Sequence, residues 1–162
     1  MVSKGLVVAV IVAIATIIGA MAAVYSTQAS IDFYLSNPQN LYFKRGLNQV
    51  TTYCENGGSM DGDFNLIVTF TNATFSNQTA YPYVVVDNST AKFAFVLHKG
   101  ESNNKVVQFT IDNATTEFSI TLTLEKTDPL GFLFLRANGL YPTRLQYQWN
   151  ETSQSFNYVN PT

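Results

Sequence analysis

The chain has 162 residues, with 9 basic side chains against 11 acidic ones and a formal net charge of −2. That balance leaves no basic footprint for a phosphate backbone, so nucleic acid is excluded as an expected partner. One cysteine rules out an intrachain disulfide, and one histidine rules out a metal site built from several histidines.

In chain order, the first element is Leu6 to Val24, which holds no charged residue. Thr16 is its one side chain with a polar group, and that hydroxyl can bond back to its own helix. At a rise of ~1.5 Å per residue this stretch makes a helix of about 28 Å, close to the ~30 Å hydrocarbon core of a bilayer. Lys4 precedes it, and the first charges after it are Asp32, Lys44 and Arg45. A cation close on one side only keeps the N-terminus in the cytoplasm, which places everything after Val24 outside the cell. Three processing readings stay open. The segment is an uncleaved anchor, or a secretory signal with Ala20-Met21-Ala22 or Thr27-Gln28-Ala29 as its small-residue cleavage site, or a prepilin-type leader cut between Gly5 and Leu6. Bacterial-type pilins carry Glu at the fifth mature position, where this chain has Val10. The expected organisation is a signal or transmembrane segment over 1–29 and one extracellular domain over 30–162. The latter holds about 133 residues, enough for a single core.

That remainder is rich in Thr, Asn, Phe, Tyr and Val, which is strand chemistry. Ser30 to Leu35 alternates, with Ile31, Phe33 and Leu35 on one face. Asn37-Pro38 breaks it, Leu41 to Phe43 reads as a second short strand, and Val50 to Cys54 as a third. Glu55 to Asp63 is a turn-rich loop. Phe64 to Thr71 alternates clearly, broken only by Ile67. Tyr81 to Val86 opens with Pro82 and belongs near a sheet edge. Ala91 to Leu97, Lys105 to Ile111 and Glu117 to Glu125 each alternate with period two. Gly131 to Arg136 is apolar, Arg144 to Trp149 alternates again, and Phe156 with Tyr158 marks a last strand. Beyond the leader no window has helical period. Eight or nine short strands with turns between them predict an all-β antiparallel sandwich preceded by one apolar helix.

Five Asn-x-Thr sequons occur, at Asn72, Asn77, Asn88, Asn113 and Asn150, where composition alone would give roughly three. Asn77, Asn88 and Asn113 fall in predicted turns, and Asn150 has the polar parity of its strand. Asn72 shares the parity of Phe70, so its strand must end or bulge near Thr71. Together with the leader, the sequons predict an N-glycosylated extracellular protein.

Catalytic chemistry is hard to assemble. His98 sits at a strand end on the outward parity and reads as a solvated turn residue, and nothing in the sequence brings it to Cys54. Cys54 reads as a buried, inert thiol, with pairing to a cysteine of another chain as the alternative. Asp61-Gly62-Asp63-Phe64-Asn65 begins as a calcium loop does, but the sixth and twelfth places are Leu66 and Asn72 rather than Gly and Glu. It reads as a hairpin turn with solubilising acids. No cofactor fingerprint is present, and the expectation is a protein without enzymatic activity. A secreted sugar-binding module or hydrolase is the alternative of a different class.

Val50 to Gly58 followed by Asp63 to Phe70 resembles the strand-B, Asn-Gly turn, strand-C passage of immunoglobulin-like (Ig-like) surface domains. With its apolar helix, the whole chain is similar to the membrane-anchored Ig-like accessory proteins of the archaeal motility filament, the archaellum. Its charge-poor style with several sequons is also similar to envelope and filament proteins of thermoacidophilic archaea. A second resemblance is to archaeal filaments built by strand donation. The resemblances imply an Ig-like sandwich that binds protein partners in an envelope or surface filament, itself among them. Ile31, Phe33 and Leu35 are the expected partner-binding residues, through edge-strand or sheet-face contact, and in the donated-strand version they are set into an open edge of the neighbouring subunit. A pilin-like or strand-donating filament subunit is therefore the main alternative to an anchored structural protein. With the leader retained, Ile31 to Leu35 pairs within its own chain.

Overall fold

The computed structural model describes residues 4–36, 41–76, 84–127, 135–139 and 144–159. Helix α1 (Lys4–Ser26) is followed after two residues by β1 (Ala29–Leu35), β2 (Gly46–Asn56), β3 (Gly62–Thr71), β4 (Thr74–Phe75) and β5 (Val84–Asp87). Then come β6 (Thr90–Leu97), β7 (Ser102–Ile111), β8 (Glu117–Lys126), β9 (Leu135–Gly139), β10 (Arg144–Asn150) and β11 (Ser155–Val159).

The strands form two sheets. One has the order β4-β7-β2-β1-β9 and the other β11-β10-β8-β3-β6-β5. Among the described residues every pairing is antiparallel except that of β1 with β9. Period-two side chains explain the layering. Phe64, Leu66, Val68 and Phe70 of β3 are buried, as are Phe118, Ile120 and Leu122 of β8, facing Val107, Phe109 and Ile111 of β7 and Val50 and Cys54 of β2. The framework is Ig-like. β1, β2, β7 and β4 stand where strands A, B, E and D stand in such domains, and β3, β8 and β10 stand where C, F and G do. The hairpin β5–β6 extends the second sheet beyond β3, β11 extends it beyond β10, and β9 adds a parallel edge to β1.

Several expectations need correction. Leu41 to Phe43 is not a strand. Phe43 makes one isolated bridge to Phe156, and its ring stands edge-on between the sheets, 5.4 Å from Phe109, 5.4 Å from Phe118 and 5.0 Å from Tyr147. Packing on this aromatic cluster holds the segment in place where a ladder would have held a strand. The predicted loop at Glu55 to Asp63 is shorter, because β2 runs on through Asn56 and β3 starts at Gly62. Ala29, assigned by sequence to the leader, opens β1 and is buried. Pro82 and the apolar residues 131–134 lie outside the described residues, while β5 does sit at a sheet edge and Leu135 does begin a strand.

Following the chain through the registers gives the sandwich two ends. β1 begins, β2 ends and β3 begins at one of them, which also holds the turn from Leu97 to Ser102. This near end receives α1. The far end holds the close of β3, the β5–β6 turn, the β7–β8 connection and the close of β10. A ten-residue strand such as β3 separates the two by about 30 Å.

Candidate membrane junction and glycan-acceptor end

α1 is the only helix among the described residues that is long and apolar enough to cross a membrane. Leu6, Val10, Ile14, Ile17, Ile18 and Met21 are all exposed, so no part of the sandwich covers it. An uncovered helix with this apolar surface is compatible with a membrane anchor or a signal segment. Thr16 Oγ1 donates to Val12 O at 2.8 Å, which satisfies the one polar side-chain group of the Leu6–Val24 stretch within the helix itself. Thr27 Oγ1 donates to Ala23 O at 2.8 Å, satisfying a carbonyl that the helix end leaves open.

The junction with the sandwich is built around Asn56. Its inward parity continues that of Cys54, and its side chain is fully buried. Asn56 Oδ1 accepts from Ser30 N–H at 3.2 Å and from Gly58 N–H at 3.0 Å. Asn56 Nδ2 donates to Met60 O at 2.8 Å and to Leu97 O at 3.1 Å. All four bonds of a primary amide are made, which is what a buried amide requires. The loop it organises closes over the start of β1. Gly57 N–H donates to Ser30 O at 2.9 Å and Ser59 N–H to Gln28 O at 3.0 Å. A Cβ on Gly58 would fall on Gln28 O, Ser30 N and Ala29 Cα, and one on Gly62 would meet Ile31 Cδ1 at 2.9 Å. At Gly58 the obstruction is backbone, so only glycine lets the loop lie this close to the strand, whereas at Gly62 the tip of the Ile31 side chain can give way.

Of the five sequons, Asn77 lies outside the described residues. The other four acceptors are exposed, and all stand at the far end. Asn72 follows the last residue of β3 with φ of +60°, so the strand does end at Thr71; its Nδ2 donates to Glu117 O at 3.2 Å. Asn88 sits in the β5–β6 turn, where its carbonyl accepts from Phe75 N–H at 2.8 Å. Asn113 lies in the turn closed by Thr115 N–H on Asp112 O at 3.1 Å. Asn150 Oδ1 accepts from Thr152 N–H at 2.8 Å and Ser153 N–H at 3.1 Å, an Asx turn after β10. An open cleft of about 540 Å³ lies among them. Phe70, Asn72, Ala73 and Thr74 line one side, and Asp112, Ala114, Thr115 and Glu117 lie across from them.

No protein-family model matches this chain, and no curated protein matches it. Among solved structures it is similar to the human F-spondin reeler domain, with 6% identity and a TM-score of 0.35 over 75% of this chain and 89% of that one. It is also similar to Spo0M, a sporulation control protein from Bacillus subtilis, with 15% identity and a TM-score of 0.33 over 68% of this chain. The chain spans about half the length of that protein, 50%. Neither likeness carries an argument about function.

Ile31, Phe33 and Leu35 are placed differently from the donated-strand expectation. All three are buried in their own sandwich, with β1 paired to β2 on one side and β9 on the other. Their side chains fill this chain's core and present nothing to a partner in this arrangement. Cys54 and His98 are not brought together as a pair. Cys54 is buried, and burial pushes its thiol up to about 12. His98 is exposed, and its Nδ1 lies 2.9 Å from Asp61 Oδ2. That hydrogen bond is the main reason His98 holds its proton more tightly and Asp61 releases its own more readily, with Lys99 N–H on Asp61 Oδ1 at 3.0 Å adding to the second effect. Asp63 and Asn65 alternate outward along β3, and Asn65 Nδ2 donates to Glu125 Oε2 at 3.1 Å, so the acidic stretch is divided between a turn and a strand face. Among the described residues no group of three or more His, Cys, Asp or Glu is placed to hold a metal.

Sequence reasoning missed two features. The guanidinium of Arg45 lies 4.0 Å from the centre of the Trp149 ring, over a gap of a hundred residues that no local pattern spans. The Asn56 hub was legible only as a turn signal, although period-two parity from Val50, Thr52 and Cys54 already pointed its side chain inward.

Proposed function

We propose that this protein is a non-enzymatic cell-surface component. In this reading α1 sits in the membrane, and the sandwich stands outside, N-glycosylated at its far end and binding protein partners in an envelope or surface filament. The observation that carries the reading is the opposition of two features. The uncovered apolar helix enters one end of the sandwich, and four exposed acceptors occupy the other. A membrane at the near end leaves the far end fully in the extracellular solvent, where glycans meet no obstruction. The charge-poor, sequon-bearing style and the Ig-like frame support placing it beside archaeal accessory proteins of envelope and filament.

The test is expression of the full chain in a host with N-glycosylation, followed by protease treatment of intact cells and mapping of the modified asparagines. Glycan on Asn72, Asn88, Asn113 or Asn150, with the sandwich digestible from outside, is the expected result. A bare sandwich protected inside the cell would refute the reading.

A second reading has one observation in its favour. β1 is the first strand of the chain, and it fills a slot between β2 and β9. A neighbour's first strand fits that slot equally well, so a strand-donating filament subunit would use Ile31, Phe33 and Leu35 in trans. Assembly into oligomers that resist detergent, abolished by Phe33→Asp introduced in the donor only, distinguishes it from the anchored monomer.

A further inference from the structure

Thr27-Gln28-Ala29 has the small residues of a leader-peptidase site, and hydrolysis of the Ala29–Ser30 bond would release everything before Ser30. The junction argues against that cut. Gln28 O accepts from Ser59 N–H, Ala29 is buried and pairs with Leu135, and Ser30 N–H is held by Asn56 Oδ1. The three atoms nearest a Cβ on Gly58 all belong to Gln28, Ala29 and Ser30. The Cβ of Ala29 is also 3.2 Å from the place a Cβ on Gly62 would take. Gly58 is thus shaped around Gln28 and Ala29, which a cut at Ala29 would remove, and Asn56 holds the amide nitrogen of the very bond that would be cut.

We infer that Gln28 and Ala29 belong to the mature folded domain, and that processing of the leader is confined to bonds upstream of Thr27. The three options then contract to an uncleaved chain, a start at Leu6 after the Gly5 cut, or a start at Ala23 after the Ala22 cut. The inference goes beyond the surface-protein reading and does not depend on which partner is bound.

Intact-mass measurement and N-terminal peptide mapping of the full chain, purified from membranes and medium of a secreting host, test it directly. A start at Met1, Leu6 or Ala23 is expected, and folded protein starting at Ser30 overturns the inference. That overturning result, found on glycosylated extracellular protein, leaves the surface reading standing; bare cytosolic protein sinks the surface reading alone. Adjacent glycines provide an internal control. Gly57→Ala meets nothing within 4 Å, whereas Gly58→Ala must displace the backbone of residues 28–30. Proteinase K cleavage between Ser26 and Ile31 is expected to rise at least tenfold in Gly58→Ala and to stay unchanged in Gly57→Ala. Should Gly58→Ala unfold the whole domain, read as alkylation of Cys54, the meaning is the same, because the displaced atoms are those of residues 28–30. Equal resistance of both variants overturns the clasp.

Discussion

At the residue scale, the single histidine offers a clean probe. His98 pairs with Asp61 in full contact with solvent, and Glu101 adds a further negative charge nearby. A histidine held above its unfolded pKa contributes stability that is complete below that unfolded value and fades as pH rises through the folded one. Asp61, held below its usual range, contributes above its unfolded value and loses that contribution as pH falls through the folded one. The pair therefore helps most between the two, in mildly acidic solution. In a proton NMR titration His98 is expected to titrate above its ordinary value of 6.5 and to fall back toward it in Asp61→Asn. An unchanged midpoint would show the contact absent in solution. Cys54 makes the opposite prediction. Burial raises it to about 12, so iodoacetamide at pH 8.5 should leave the folded protein unlabelled and label it fully in guanidinium.

Among the elements, β3 and β8 were legible almost to the residue, because both faces of each are sorted by polarity and the period is two. β1 was legible as a strand with Ile31, Phe33 and Leu35 on one face, yet its partners were not, since pairing across a hundred residues leaves no local trace. The parallel contact with β9 is of that kind. The Leu41 to Phe43 segment misled in a different way. Three alternating residues match a strand, but Phe43 is fixed by rings from three separate strands, β7, β8 and β10, at 5.0 to 5.4 Å. Phe43→Ala is expected to lower stability by about 3–5 kcal/mol, as for other buried phenylalanines, measured by urea titration in detergent. A loss below about 1 kcal/mol would mean that the segment is held by its single bridge to Phe156 instead. The acceptor asparagines were legible as motifs. Their gathering at one end was not, because it emerges only once strand directions are known.

At the scale of the whole molecule, near and far ends imply a fixed standoff. Trp149 is the only tryptophan and lies at the far end, its N–H bonded to Thr116 O at 2.8 Å through the backbone. With α1 in a bilayer, a strand length of about 30 Å separates that ring from the helix exit. Spin-labelled lipids should leave its fluorescence unquenched in proteoliposomes, and strong quenching would lay the domain flat on the surface. The two residues between α1 and β1 carry a wider consequence. A flexible tether of two residues reaches only about 8 Å. A sandwich so mounted cannot fish for ligands in the surrounding medium. On the surface reading proposed above it would behave as a peg, its encounters set by drift of its foot in the lipid plane and by whatever rigid lattice comes down to meet its far tip.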